Sequence, residues 1–270
     1  METLSLEQAW ATVVPTWKRQ AQQLSRLPIY RNWKQPAADA LRGTRLSGLT
    51  VFFLDAHRSW LSSMALGSDL ENLGLTTGRA AFGHRAVFYG PENVRFIPVF
   101  RETDIAGGLN ATVPGDPIPT SSYGAFLTGL GYQIRMGSKL QLAGRLLTLP
   151  NNLDPHDAVA ETVRVVCHRE WARRDGAGYL GAEMLFGLVC PELGLDSSNL
   201  RTTKPLQEEI ARSRPASFVS QSLVAAVMAG QLLGEALGNT RRMLFFDAMA
   251  QPSEITPPPS DFIELEDFFS

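Results

Sequence analysis

A chain of 270 residues with 44% apolar content can build one large core or two small ones, and a formal net charge of -2 argues against a surface dedicated to polyanions. Cys167 and Cys190 make no disulfide framework, and neither they nor His57, His84, His156 and His168 have metal-ligand spacing, so no metal is expected. The opening METLSLEQAW lacks the basic and apolar stretches of an export leader, which makes the cytoplasm the expected location.

Residues 4–27 carry apolar side chains at helical spacing, Leu6, Trp10, Val13, Val14, Trp17, Ala21 and Leu24, with Pro15 as an expected kink or break. They open a helical arm, residues 1–48, in which seven basic residues face three acidic ones and Trp10, Trp17, Tyr30 and Trp33 lie among the charges. Two uses of the arm stand side by side. Trp10 and Trp17 suit docking on a protein partner, whereas cations interleaved with rings across residues 10–45 also suit nucleic acid.

An α/β core is expected over residues 49–250. LTVFFL, residues 49–54, reads as a strand buried on both faces and ends at Asp55, the place where ligands bind in open α/β sheets, so Asp55 and His57 are the first site candidates. Residues 86–89 and 94–100 read as a strand pair joined at Gly90-Pro91, and the Gly- and Pro-rich stretch 104–122 as a long loop. A helix is predicted from Asp154 as N-cap, through Pro155 at its first position, to about Arg174, with Val159, Val163, Val166, Cys167 and Trp171 as its apolar stripe. An apolar segment rich in small residues follows at 178–189, then a short polar helix at 205–212. The next helix, residues 218–237, is apolar on most faces and carries a small-residue ridge of Ala226, Gly230 and Gly234. It is long enough for a bilayer, but Ser220, Gln221, Ser222, Gln231 and Glu235 interrupt it, so membrane insertion is not expected. MLFF, residues 243–246, reads as a core strand. Residues 251–270 form a proline-rich linker and an acidic tail whose Phe262, Phe268 and Phe269 are candidate contacts for a protein partner. The expected architecture is a layered, Rossmann-like sheet with helices on both faces.

Catalytic candidates are few. Cys167 and His168 are adjacent, and neighbours on a helix point about 100° apart, so they make no dyad. Cys190, in LVCPELG, ends an apolar run at a proline; it is a catalytic candidate only if a cation or helix terminus lowers its pKa, and otherwise a core thiol. The paired carboxylates, among them Glu208 and Glu209, read as solvated surface.

Two stretches resemble the ubiquitin-activating-enzyme superfamily, which includes the sulfur-carrier adenylyltransferases. They are RPASFVSQSLVAAVMAGQLLGEALGNTRRMLFFDAMAQPSEITPPP and, more weakly, LTVFFLDAH with ENLGLTTGRAAFGHRA. The resemblance implies a nucleotide region near Asp55, Asn72, Arg79 and Arg85. The glycine-rich nucleotide loop and the CxxC zinc motifs of that family are absent here, so no cofactor is expected and a divergent member that lost adenylation is implied. The sequence therefore points first to a non-catalytic interaction subunit of a larger assembly. A thioester or adenylyl-transfer enzyme using Cys190 and a nucleic-acid-binding subunit are the alternatives.

Overall fold

The computed structural model describes residues 2–23, 27, 29, 30, 38, 39, 44, 45, 52, 63–66, 70, 74, 84–89, 94–101, 122–151, 155–174 and 176–238. Asp55, Asn72, Arg79, the 104–121 stretch, the MLFF segment and the tail with Phe262, Phe268 and Phe269 lie outside them.

The described strands form two sheets. In the larger, β6 (Val94–Arg101) pairs along one edge with β5 (His84–Tyr89), confirming the expected hairpin. Its other edge is shared by β1 (Glu2–Leu4), opposite residues 94–96, and β4 (Ser63–Leu66), opposite residues 99–101. Beyond β4 lie β2 (Ala38–Asp39) and β3 (Thr44–Arg45). Only the pair β2 and β4 is parallel in this sheet, among the described residues. The smaller sheet has the order β7 (Gln133–Gly137), β9 (Leu146–Pro150), β8 (Gln141–Ala143). The chain is thus a mixed α/β protein, but the Rossmann-like layering expected above is not what the strand pairing describes. A doubly wound sheet needs successive parallel strands joined by helices. Here four of five pairings in the larger sheet are antiparallel, and Phe52, from the expected 49–54 strand, is helical and buried.

Among the residues whose burial is described, the core belongs mainly to helices. α1 (Leu6–Gln22) starts at a capping box: Gln8 N–H donates to Ser5 Oγ at 3.2 Å and Ser5 N–H to Gln8 Oε1 at 2.7 Å. The helix continues through Pro15, so the expected break does not occur. Trp10 and Trp17 are wholly buried, stacking at 5.0 and 5.7 Å ring separation on Phe218 and at 6.4 and 5.9 Å on Phe52. The apolar stripe of α1, predicted to reach a partner, is spent inside the molecule, because it meets the later helices first. α2 (Ser122–Gly129) leads into the small sheet. α3 (Pro155–Arg173) begins at the predicted proline and buries Val163, Val166, Cys167 and Trp171 as expected. α4 (Tyr179–Leu193) is the apolar 178–189 segment, α5 (Lys204–Arg212) the short polar helix, and α6 (Pro215–Leu237) the small-residue helix.

α4 lies centrally, packed against α3, α5 and α6, while α6 also receives α1 and α2. Gly129 shows how close these approaches are: a Cβ there would fall on the backbone of Ala236. The face of α6 that packs inward is Phe218, Ser222, Ala225, Ala226, Ala229, Leu232 and Leu233. Leu223, Val224 and Val227, on the opposite face, are 46, 48 and 55% exposed. By length and composition α6 would cross a membrane, and 44% of its most apolar window is buried inside the protein.

Candidate functional site

In an apolar helix of such composition a single acid facing inward must be paired, since an isolated buried carboxylate is prohibitively costly. Glu183 is that acid. It sits among Ala182, Met184, Leu185 and Phe186 on α4 and is wholly inaccessible.

Three side chains meet it. Arg164, one turn along α3 from Glu161, brings Nε and Nη2 to 2.7 Å from Glu183 Oε1. His168, the next turn on the same face of α3, donates from Nε2 to the same oxygen at 2.9 Å. Tyr30 donates its hydroxyl to Glu183 Oε2 at 2.9 Å and accepts from Arg164 Nη2 at 3.2 Å. The Arg164 guanidinium also lies 5.5 Å above the Tyr30 ring, donates weakly to the Arg201 carbonyl at 3.4 Å, and reaches Glu161 Oε2 at 3.5 Å. Sequence spacing placed Glu161, Arg164 and His168 on one face of α3. What it missed was Glu183, whose signal is a lone acid inside an otherwise apolar run.

Electrostatics make this a closed set. Burial pushes the Glu183 carboxyl up, but the hydrogen bond from His168 and the Arg164 charge outweigh it and hold the group below the usual carboxylate range. Burial works against the charge of Arg164 too, yet Glu183, Tyr30 and Glu161 raise its pKa. Desolvation, reinforced by Glu183, keeps Tyr30 a neutral phenol well beyond its ordinary value. The result is an anion and a cation fixed against each other under a phenol. Every Glu183 oxygen is engaged, so the carboxylate itself is not free to take a proton.

A second buried acid repeats the pattern. Glu170 accepts from Tyr132 Oη at 2.7 Å and from Arg173 Nη1 at 2.8 Å, and Arg174, 3.8 Å from it, bridges on to Glu235 of α6 at 2.7 Å. These ties join the turn before the small sheet, α3 and α6.

Cys190 lies on α4, wholly buried, because the helix runs on through Pro191 and turns only at Gly194, whose φ of 59° suits a residue without a Cβ. Burial first, then the neighbouring Cys167 and Glu183, push its thiol well above the ordinary value; burial does the same to Cys167. Neither meets the condition of a lowered pKa set out for a nucleophile. Arg85 lies on β5 opposite Pro98. Of the paired carboxylates, Glu208 is exposed beside Arg212, whereas Glu209 accepts from the Tyr179 N–H and so caps α4. Among the described residues no three His, Cys, Asp or Glu side chains come together as a metal set.

No family model matches the chain, and no curated protein matches it. A solved structure does: the crystal structure of the antirestriction protein ArdC from the R388 plasmid, in an Mn(II)-bound form, aligns over 82% of this chain and 98% of that one at TM-score 0.54 and 17% identity. The resemblance to the ubiquitin-activating superfamily is thereby overturned. Its stronger stretch spans α6, a helix that closes a helical core against α1, α2 and α4, and the fold as a whole is similar to ArdC.

Proposed function

We propose that this protein acts by binding, without catalysis, in the manner of an antirestriction factor directed at the machinery that cuts foreign DNA. The observation that carries the reading is the internal neutralisation of its chemistry: Arg164, Tyr30 and His168 take up both oxygens of Glu183, and the thiols of Cys167 and Cys190 are kept protonated by burial. The antirestriction protein of similar fold supplies the context. Exposed apolar side chains support a protein target, Leu223, Val224 and Val227 on α6 in particular.

The test is protection of unmodified DNA from a purified restriction endonuclease by the full chain. Protection should rise with protein until the endonuclease is matched and should be the same for protein stripped with a chelator and dialysed before the Mg(II)-containing assay. No protection at any ratio would overturn the reading, as would protection abolished by chelator and restored by Mn(II).

One observation favours a second reading, contact with the DNA itself. Residues 117–153 hold no acid, and Arg135 on β7, with Lys139 and Arg145 in the turns of the small sheet, accompanies exposed Ile134 and Met136. Strands carrying basic side chains can read DNA grooves. Binding of labelled DNA that weakens steeply with salt, and weakens further in Arg135→Ala, would support this route; no binding at low salt would remove it.

A further inference from the structure

The similar fold carries Mn(II), and this chain's own side chains decide whether such an ion fits here. Mn(II) takes carboxylate and imidazole ligands. The place where this chain gathers them in its interior is the Glu183 cluster, with Glu161 at its rim and His168 beside it. The ion does not fit. A guanidinium already lies 2.7 Å from Glu183 Oε1, the distance of a strong charge-assisted bond, and Tyr30 holds the other oxygen. With that cation among them, Glu161, His168 and Glu183 do not converge as a ligand set.

We infer that Arg164 is a permanent, covalently attached replacement for a bound cation, so that the cluster is a locked structural joint in the native chain and becomes a divalent-cation site only when the guanidinium is removed. A charge of +1 delivered by α3 needs no metal supply. It also reads geometry that a free ion would not, since its planar donors reach Glu183, the Tyr30 hydroxyl and the Arg201 carbonyl together. The joint thereby fastens four parts of the chain: the segment holding Tyr30, α3, α4 with Glu183, and the loop after α4. Removing the side chain leaves a wholly buried carboxylate uncompensated beside an imidazole and a second carboxylate, which is the chemistry of a vacant cation site.

This deepens the non-catalytic reading and rests on it, but its readout is metal occupancy rather than protection of DNA. The full chain is titrated with Mn(II), followed by the loss of the free-ion EPR signal and by thermal melting, as wild type, Arg164→Ala, and Arg164→Ala with Glu183→Gln. Wild type should take no Mn(II) that Glu183→Gln abolishes. Arg164→Ala should bind one ion, with its melting point raised by about 5 °C when Mn(II) exceeds Kd a hundredfold, and the added Glu183→Gln should abolish this. Should Arg164→Ala fold only when refolded with Mn(II), that result also supports the inference. Glu183-dependent Mn(II) in wild type would overturn it, as would a folded Arg164→Ala that ignores Mn(II) or a variant that fails to refold with and without it. Failure of DNA protection with these occupancies intact would strike the proposed function alone.

Discussion

Replacing Arg164 with Met keeps the length of the side chain and removes its charge. In the native protein that charge faces a carboxylate with no solvent access, across 2.7 Å, with the Arg164 side chain itself only 7% exposed. Breaking a buried pair from one side costs about 3–5 kcal/mol, because the remaining charge has lost its compensation. The lower end applies here, since Tyr30 and His168 still donate to Glu183. About 3 kcal/mol corresponds to a fall of about 6–12 °C in Tm for a chain of this size, and to about 1 M in the urea midpoint. The informative comparison is the double variant Arg164→Met with Glu183→Gln. Both charges are then gone while the amide still meets Tyr30, so the double variant should recover most of the loss, with a coupling energy of about 2 kcal/mol between the sites. Urea unfolding of the four proteins, followed by tryptophan fluorescence, gives this cycle. A single variant within about 0.5 kcal/mol of wild type, or losses that simply add, would refute the account of the cluster as one electrostatic unit.

The stability profile with pH should have two limbs set by the same cluster. Glu183 is depressed on folding, so its contribution is present above its ordinary value of 4.5 and is lost as pH falls through the folded value; Glu183→Gln should flatten that acid limb in urea midpoints measured against pH. Tyr30 is raised on folding, so its contribution is complete below its ordinary 10.0 and lost as pH climbs beyond it; Tyr30→Phe should flatten the alkaline limb. Gly129→Ala drives a methyl into the Ala236 backbone and should cost about 1–3 kcal/mol, whereas Gly124→Ala on the same helix meets open space and should gain about 0.5–1 kcal/mol from helix propensity. Trp17→Ala, emptying the space between Phe52 and Phe218, should cost about 3–5 kcal/mol and collapse the near-ultraviolet dichroism. Both cysteines should resist a thiol reagent at pH 8 in the native state and react together in urea; native reactivity of Cys190 would contradict its placement.

Local signals were legible where they were dense. The α3 start at Pro155, its stripe, the β5–β6 pairing and the course of α5 and α6 all follow from the placement of proline and from apolar periodicity within a few positions. What escaped were questions of partnership between distant segments. Trp10 and Trp17 look the same in sequence whether their stripe meets a foreign surface or Phe218, two hundred residues on, and only the packing decides. The exposed half of α6 was hidden by the same ambiguity, since an apolar residue on a helix shows no preference for inside until its neighbours are in place. For Cys190 the core-thiol reading of the sequence holds: Pro191 lies in the last turn of α4, where the helix tolerates it and the thiol stays within the core. Glu183 belongs to no carboxylate pair, and its isolation among apolar side chains is its signal in the sequence. Small-residue helices followed by strands occur in many folds, which is why α6 suggested a family that the whole fold does not bear out.

The claim on which the account turns is that the Glu183 cluster holds the protein together and performs no chemistry. Its most direct test is the protection of unmodified DNA by the folded double variant Arg164→Met with Glu183→Gln, assayed at matched concentrations beside wild type. Equal protection per folded molecule is the result expected; a double variant that keeps its stability and secondary structure yet protects no DNA would contradict the claim.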